Sequence, residues 1–338
     1  MGNLGINFFS FVAACSTCAT PQNVPYKNWG IANNEARSHV MALDAWTITE
    51  GNKDIVVAVI DTGLDATHPD LAQNLWHDPA MPSVYGWNFI NNKPNPIDEH
   101  GHGTHVAGII GAVSDPKTGI SGVAHRVKIM PIKYYSDANP GSVNLRNTVQ
   151  AFNYAIEHGA KIINYSGGGP EFSEYEYLAI KRAESKGILV IAAAGNEHEN
   201  TDLPENKYYP AAYGLSNMVT VASADIHNNL LAGSNYGKKS VDLSAPGENI
   251  YSTLPGDRFG YMSGTSMAAP FVTGTAVLLL ACNPKLTPIQ LKELMMNSVD
   301  KFPQQKEKTK TGGRVNAYAA LLLAKQKYGK CVMKYNSR

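Results

Sequence analysis

Three stretches of this chain are apolar on almost every face, and each adjoins a small polar cluster. Residues 55–60 read Ile-Val-Val-Ala-Val-Ile and run into Asp61-Thr62-Gly63. Residues 188–194 read Ile-Leu-Val-Ile-Ala-Ala-Ala and run into Gly195-Asn196. Residues 267–281 are apolar at helical length and are entered through Gly264-Thr265-Ser266. A strand apolar on both faces predicts the middle of a parallel sheet with helices on each side. A helix with no polar face predicts the core of a sizeable domain. Pro270 is expected in the first turn of that helix, where its missing N–H has no partner to lose. Ser266 then stands one step before the helix, beside the positive end of its dipole.

The rest of the pattern alternates strand and helix. A helix is expected over 33–46 (Ala36, Val40, Leu43, Trp46), then a turn-rich stretch over 65–96. A helix from His102 is expected to pack closely through Gly108 and Gly111, followed by a loop over 115–121 and a strand over 127–132. The helix through Leu145, Val149, Phe152, Ala155 and Ile156 stops at Gly159, which suits a left-handed C′ residue. A strand over 161–166 runs into Gly167-Gly168-Gly169-Pro170, and a helix over 175–186 stops at Gly187. Further strands are expected over 218–223 and 241–244. Thr287-Pro288-Ile289-Gln290 carries an N-cap, a proline at N1 and a capping-box glutamine, opening a helix to about Val299. A last helix spans 314–325. The fold class is therefore α/β: a doubly wound, mostly parallel central sheet with helices on both faces, in a single large domain. Right-handed crossovers bring the carboxyl ends of successive strands to one rim.

Composition changes this picture little. The chain has 338 residues, 43% hydrophobic and 17% charged, with a net charge of +1, which argues against a nucleic-acid or anionic-membrane binder. The Lys-rich run over 301–310 reads as a solvated loop. The four cysteines, Cys15, Cys18, Cys282 and Cys331, are too few for a disulfide framework, and their spacing leaves an optional bridge or a free thiol equally open. Residues 6–14 are apolar but too short to span a bilayer, and no positive segment precedes them. Val12-Ala13-Ala14-Cys15 resembles a lipoprotein cleavage site, so export with a lipid anchor at Cys15 stands beside a disordered or truncated leader over 1–22. No membrane span is expected elsewhere, because Pro270, Thr273, Gly274 and Thr275 interrupt the other long apolar run.

The polar residues at the element ends suggest chemistry. Serine is a poor nucleophile until a base takes its proton, histidine titrates near working pH, and a buried carboxylate fixes the imidazole tautomer. Taken singly, Ser266 is a helix cap, Asp61 a turn former and His102 a structural histidine. Together at strand and helix ends of one sheet, with glycines at all three places, they predict an Asp-His-Ser set. Asn196 adds a carboxamide donor on the same rim, suited to an oxyanion.

Val59-Ile60-Asp61-Thr62-Gly63, His102-Gly103-Thr104-His105-Val106-Ala107-Gly108 and Gly264-Thr265-Ser266-Met267-Ala268-Ala269-Pro270 resemble the three signatures of the subtilisin-like serine proteases, in the family's order. Ala193-Ala194-Gly195-Asn196 resembles the segment with the family's oxyanion asparagine. The resemblance runs over about 24–324, including Ser244-Ala245-Pro246-Gly247 and Gly313-Arg314-Val315-Asn316-Ala317. It implies a peptidase domain over 23–326, with a polar tail over 327–338. It also implies Asp61 as orienting acid, His102 as general base, Ser266 as nucleophile and Asn196 as oxyanion donor. His105 aligns with a non-catalytic family histidine, and His68 and His100 are expected to be structural or solvent-facing. Ser166, Gly167 and Gly168 would pair with an extended polypeptide substrate. Ala193, Ala194 and Gly195 would line the pocket for the side chain before the scissile bond. Tyr208 falls where many relatives have a small residue, which implies a shallow or polar pocket floor.

The resemblance further implies that Asp70 is a calcium ligand, with Asp115 as a second hard oxygen donor, although Pro116 and Lys117 depart from the family pattern. No cofactor is expected for the chemistry. Relatives are usually made with a folding-assisting prodomain, for which the segment before Val24 is too short, and a prodomain or proteinaceous inhibitor is an expected partner. A monomer is expected. Two other functions remain open: a transamidase or peptide cyclase on the same scaffold, and a non-catalytic binding protein on a protease fold.

Overall fold

A computed structural model describes residues 26–33, 38–329 and 331. The expected leader, the lipid-anchor site at Cys15 and most of the expected tail lie outside those residues.

The sheet has ten strands in the order β11-β12-β8-β7-β6-β5-β1-β4-β2-β3. Its centre is β1 (Gly51–Asp61), which pairs in parallel with β4 (Arg126–Lys133) on one side and β5 (Ile162–Tyr165) on the other. Beyond β5 come β6 (Leu189–Ala193), β7 (Met218–Ala224) and β8 (Leu243–Pro246), all parallel. Among the described residues the strands of this sheet pair antiparallel at its edges alone, where β2 (Trp87–Asn88) meets β3 (Lys93–Pro94) and β11 (Asp300–Lys301) meets β12 (Gly313–Arg314). A separate hairpin joins β9 (Ile250–Leu254) to β10 (Arg258–Met262).

Alternate residues of a strand point to opposite faces, and β1 divides the core accordingly. Val57 and Val59 belong to one apolar cluster, with α3 (His102–Gly111), α6 (Thr265–Cys282) and α8 (Ala317–Tyr328). Ala58 and Ile60 belong to the other, with α4 (Gly141–Glu157) and α5 (Glu174–Ser185). Helices therefore cover both faces, as the two-sided apolar strands require. Among the described residues three shorter α-helices remain: α1 (Ala42–Trp46), α2 (Pro69–Ala72) and α7 (Pro288–Met296).

Several local expectations hold. Gly159 and Gly187 follow the ends of α4 and α5 with φ of 80° and 70°. Thr287 and Gln290 form the reciprocal capping box of α7. Gly111 permits close packing of α3, since a Cβ there would fall 2.6 Å from Val127 Cγ1. Among the described residues α6 is the one helix long and apolar enough to cross a membrane, and it is buried in the core.

Other expectations need correction. Of the helix expected over 33–46, residues 34–37, with Ala36, lie outside the described residues; among the others α1 alone is helical, and Met41 caps it in the left-handed region at φ 58°. The hairpin β9–β10 occupies a stretch where no strand was expected. Pro270 is not in the first turn of α6 but inside the helix, and Ser266 is its second residue rather than the one before it. The displaced backbone partner is accounted for at the site. Of the four cysteines left open by spacing, Cys282 and Cys331 form a disulfide that ties the chain after α8 to the end of α6, and Cys15 and Cys18 lie outside the described residues.

Candidate active site

Asp61 is the last residue of β1 and is 3% exposed. His102 is the first residue of α3, and its Nδ1 lies 2.7 Å from Asp61 Oδ1. The approach is set by glycine. A Cβ on Gly103 would fall 3.1 Å from Gly63 N and 3.2 Å from Asp61 Cβ, and closer still to Gly63 O. With Asp61 ionised, Nδ1–H is the donor and Nε2 is left as the acceptor. Burial alone would lower the His102 pKa, but the charge and hydrogen bond of Asp61, with a smaller contribution from Asp98, raise it above its ordinary value.

Asp98 is a residue that the sequence pattern did not single out. It is 3% exposed, and its Oδ1 accepts from Thr62 Oγ1 (2.9 Å), His100 N (3.0 Å) and Gly101 N (2.8 Å). Its Oδ2 accepts from Thr104 N (2.9 Å) and Thr104 Oγ1 (2.6 Å). Burial pushes its pKa up, yet the bonds from Thr104, Gly101 and Thr62 outweigh burial and hold it below the usual value. This carboxylate fastens the loop before α3 to the turn after β1, and so fixes where His102 stands.

Ser266 lies in the first turn of α6, where backbone N–H groups have no intrahelical acceptor. Its hydroxyl donates to Ser166 O at 2.9 Å. Pro270 stands four residues later, where an N–H would otherwise bond to the Ser266 carbonyl. Ser166 Oγ supplies the missing donor, 3.3 Å from Ser266 O. Ser166 Oγ in turn accepts from Asn164 Nδ2 (2.9 Å), and Asn164 Oδ1 accepts from Thr273 Oγ1 (2.7 Å). A buried polar chain thus links β5 to the middle of α6 and holds the serine backbone from both sides.

Asn196 follows β6 and is exposed. Its Oδ1 accepts from Thr265 N (2.9 Å) and Thr265 Oγ1 (3.1 Å), which leaves Nδ2 as a free-facing donor in an orientation set by the residue before Ser266. Gly264, at φ 141°, allows this approach, because a Cβ there would fall 3.2 Å from Asn196 Oδ1. Asp61, His102, Ser266 and Asn196 all sit at carboxyl ends of parallel strands or at the helix starts above them, which is where open α/β sheets form crevices. The set comprises a serine hydroxyl, an imidazole with one free acceptor nitrogen, and a carboxamide donor at a helix N-terminus. That is the chemistry needed for acyl transfer.

The remaining expected site residues fall as follows. Ser166 is buried, Gly167 is half-buried and Gly168 is exposed, just past the end of β5. Gly195 N donates to Thr265 Oγ1 at 3.2 Å. Ala193 is 2% exposed at the end of β6, and Ala194 is fully buried, packed with Ala222 and Val241 in a small apolar cluster. Its carbonyl accepts from Asn235 Nδ2 at 3.0 Å. Tyr208 is half-buried between Gly168 and Gly195. A cleft of about 590 Å3 reaches from Lys133 at the end of β4 to His100, which is exposed and whose ring stands 6.2 Å from that of His102.

His105 is fully buried. Its Nε2 lies 3.0 Å from Ile250 O, and burial lowers its pKa to about 4. His68 caps α2, accepting from Asp70 N at 3.2 Å. Among the described residues no group of three or more His, Cys, Asp or Glu is placed to hold a metal. Asp70 Oδ2 is nonetheless buried with no hydrogen-bond partner. Burial raises its pKa, with His68 opposing and Asp115 and Asp257 adding to the rise. Asp115 Oδ1 accepts from Lys117 N at 2.8 Å, within a tight turn after α3.

The model of the subtilase family matches residues 52–318. The chain is 38% identical over 287 residues to thermitase of Thermoactinomyces vulgaris, an alignment covering 83% of this chain and 93% of that protein. It is 40% identical over 244 residues to the major intracellular serine protease of Bacillus subtilis (strain 168), covering 71% and 72%. It is 38% identical over 277 residues to a thermophilic serine proteinase of Bacillus sp. (strain AK1), covering 82% of this chain but 64% of that protein's length. The match takes in the end of β1, the start of α3, the turn after β6 and the first turn of α6, and the chain belongs to the subtilase family of serine peptidases.

Proposed function

We propose that this chain is an endopeptidase that hydrolyses peptide bonds through an acyl-enzyme on Ser266. The Asp61–His102 contact of 2.7 Å carries the reading, because it leaves one imidazole nitrogen as a base on the rim where Ser266 lies. In the reaction the Ser266 hydroxyl turns from Ser166 O toward His102 Nε2, and Oγ attacks the substrate carbonyl as Nε2 takes its proton. Asn196 Nδ2 and the Ser266 backbone N–H stabilise the oxyanion that forms. Nε2 returns its proton to the departing amine, leaving an ester on Ser266. Water, deprotonated by the same nitrogen, then releases the acid and restores the hydroxyl. An extended polypeptide lies along the backbone of Ser166, Gly167 and Gly168; the two glycines carry no side chain, and the Ser166 hydroxyl is turned inward to Ser266 O.

Two further readings accompany this. A structural calcium ion at Asp70, with Asp115 as second oxygen donor, would give Asp70 Oδ2, which has no hydrogen-bond partner, a hard cation, although among the described residues no third acidic or histidine ligand stands with them. The Cys282–Cys331 disulfide favours export, since such bonds persist in oxidising compartments.

Product masses from a defined peptide library test the function. Hydrolysis gives fragment pairs that sum to the substrate plus one water, and Ser266→Ala gives none. Cyclic or spliced products would move the assignment to transamidation, and bound but uncut peptides would make the chain a binder.

A further inference from the structure

The backbone segments that leave β5 and β6 flank Ser266. Tyr165 on β5 stands beside Ala192 on β6, so residues 166–168 and 193–195 depart side by side. Ser166 O takes the Ser266 hydroxyl at 2.9 Å, and Gly195 N is bonded to Thr265 Oγ1 at 3.2 Å. A side chain carried by a substrate residue whose carbonyl sits at Ser266 must enter the gap between these two segments. Both bear glycines at their tips, and glycine walls normally leave such a gap open.

Here the gap is filled from within. Gly169 and Tyr209 exchange backbone hydrogen bonds of 2.9 and 2.7 Å, which bring the preceding residue, Tyr208, alongside. A Cβ placed on Gly168 would fall 3.0 Å from Tyr208 Cζ and closer to Cε1. A Cβ placed on Gly195 would fall 3.0 Å from Tyr208 Cδ2, on the opposite edge of the ring. One ring edge therefore lies against each wall, and any larger residue at either glycine would collide with it. Asn235 Nδ2 holds Glu197 Oε2 at 2.6 Å, and a Cβ on Gly195 would reach that same carboxylate oxygen, so the mouth is lined by charge rather than by apolar surface.

The geometry points to a specificity role: Tyr208 closes the pocket beside Ser266 to bulky side chains, so the enzyme cuts after small residues such as alanine, glycine or serine. This rests on the proposed role of Ser266. One methylene more or less on a substrate changes its rate by about 10–200-fold, and an aromatic side chain that must displace a packed ring is excluded more strongly.

The test is a peptide series differing only in the residue before the cut, comparing kcat/KM for phenylalanine with that for alanine. The wild type is expected to favour alanine by at least tenfold. Tyr208→Gly and, as a milder second variant, Tyr208→Ala are each expected to raise the phenylalanine-to-alanine ratio at least tenfold. Tyr208→Phe, which keeps the ring, is expected to keep the wild-type ratio. Fluorophosphonate labelling of Ser266 in each variant confirms that the site remains assembled. A wild type that cuts after phenylalanine as well as after alanine overturns the inference, as does an unchanged ratio in labelled Tyr208→Gly. Failure of the wild type to cut any peptide would instead overturn the peptidase reading on which it rests.

Discussion

Pro270 removes the one helical donor that the Ser266 carbonyl would have had, and Ser166 Oγ replaces it from 100 residues away at 3.3 Å. A proline inside a helix ordinarily leaves an unpaired carbonyl and weakens the helix. Here the vacancy is used to anchor the segment that bears the nucleophile. Ser166→Ala should therefore destabilise the fold by about 1–3 kcal/mol, because Asn164 Nδ2 and Ser266 O both lose a buried partner. Pro270→Ala restores a backbone donor to Ser266 O, so the double variant should recover roughly 1 kcal/mol of that loss. Urea denaturation of the four proteins measures the coupling, and simple additivity would show that the two residues do not share the carbonyl.

The Asp61–His102 pair sets the pH dependence. His102 acts as a base only when neutral, and its pKa is raised above 6.5, so kcat/KM should fall as pH drops through a value above 6.5. Asp61→Asn removes the charge that outweighs burial. The acid limb should then move to lower pH while kcat falls by roughly 10^4-fold. A pH–rate profile whose acid limb is unmoved by Asp61→Asn would show that another group titrates.

Asn196 is oriented by Thr265 through two bonds of 2.9 and 3.1 Å, only the second from a side chain. Asn196→Ala should lower kcat by about 10^2–10^3-fold with little change in KM, as expected for a donor used in the transition state. Thr265→Val keeps the backbone bond and should have a much smaller effect on kcat. Equal losses in the two variants would mean that the hydroxyl, not the carboxamide, matters to the reaction.

The strand ends that carry Asp61 and Asn196 and the helix start that carries His102 were legible in the sequence, because a run of apolar residues followed by one polar residue is a local signal. The hairpin β9–β10 was not. Its buried residues include Ser252 and Thr253, whose hydroxyls donate to His105 O (2.7 Å) and Thr104 O (2.8 Å) of α3, so no apolar alternation marks the strand. Asp98 was hidden for a related reason: it is held by backbone N–H groups of His100, Gly101 and Thr104 and by the hydroxyl of Thr62, 36 residues away, and none of these leaves an apolar pattern. Pro270 misled because its helical position is tolerated through Ser166, a contact that no local rule contains.

Asp70 tests the proposed calcium. With a cation on Asp70 Oδ2, chelation should lower the thermal midpoint, removing about 2.7 kcal/mol of stability if the ion was present at a hundredfold excess over Kd. Asp70→Asn should abolish the response to both chelator and added calcium. A midpoint indifferent to chelator in the wild type would show that the carboxylate is buried without a metal partner.

The central claim is that Ser266 is a nucleophile activated by His102, and covalent labelling tests it most directly. A fluorophosphonate probe followed by peptide mapping should find one adduct, on Ser266. Labelling should slow at least 100-fold in folded His102→Ala and vanish in Ser266→Ala. An unlabelled Ser266 in the folded protein, or labelling undiminished by His102→Ala, would contradict the account.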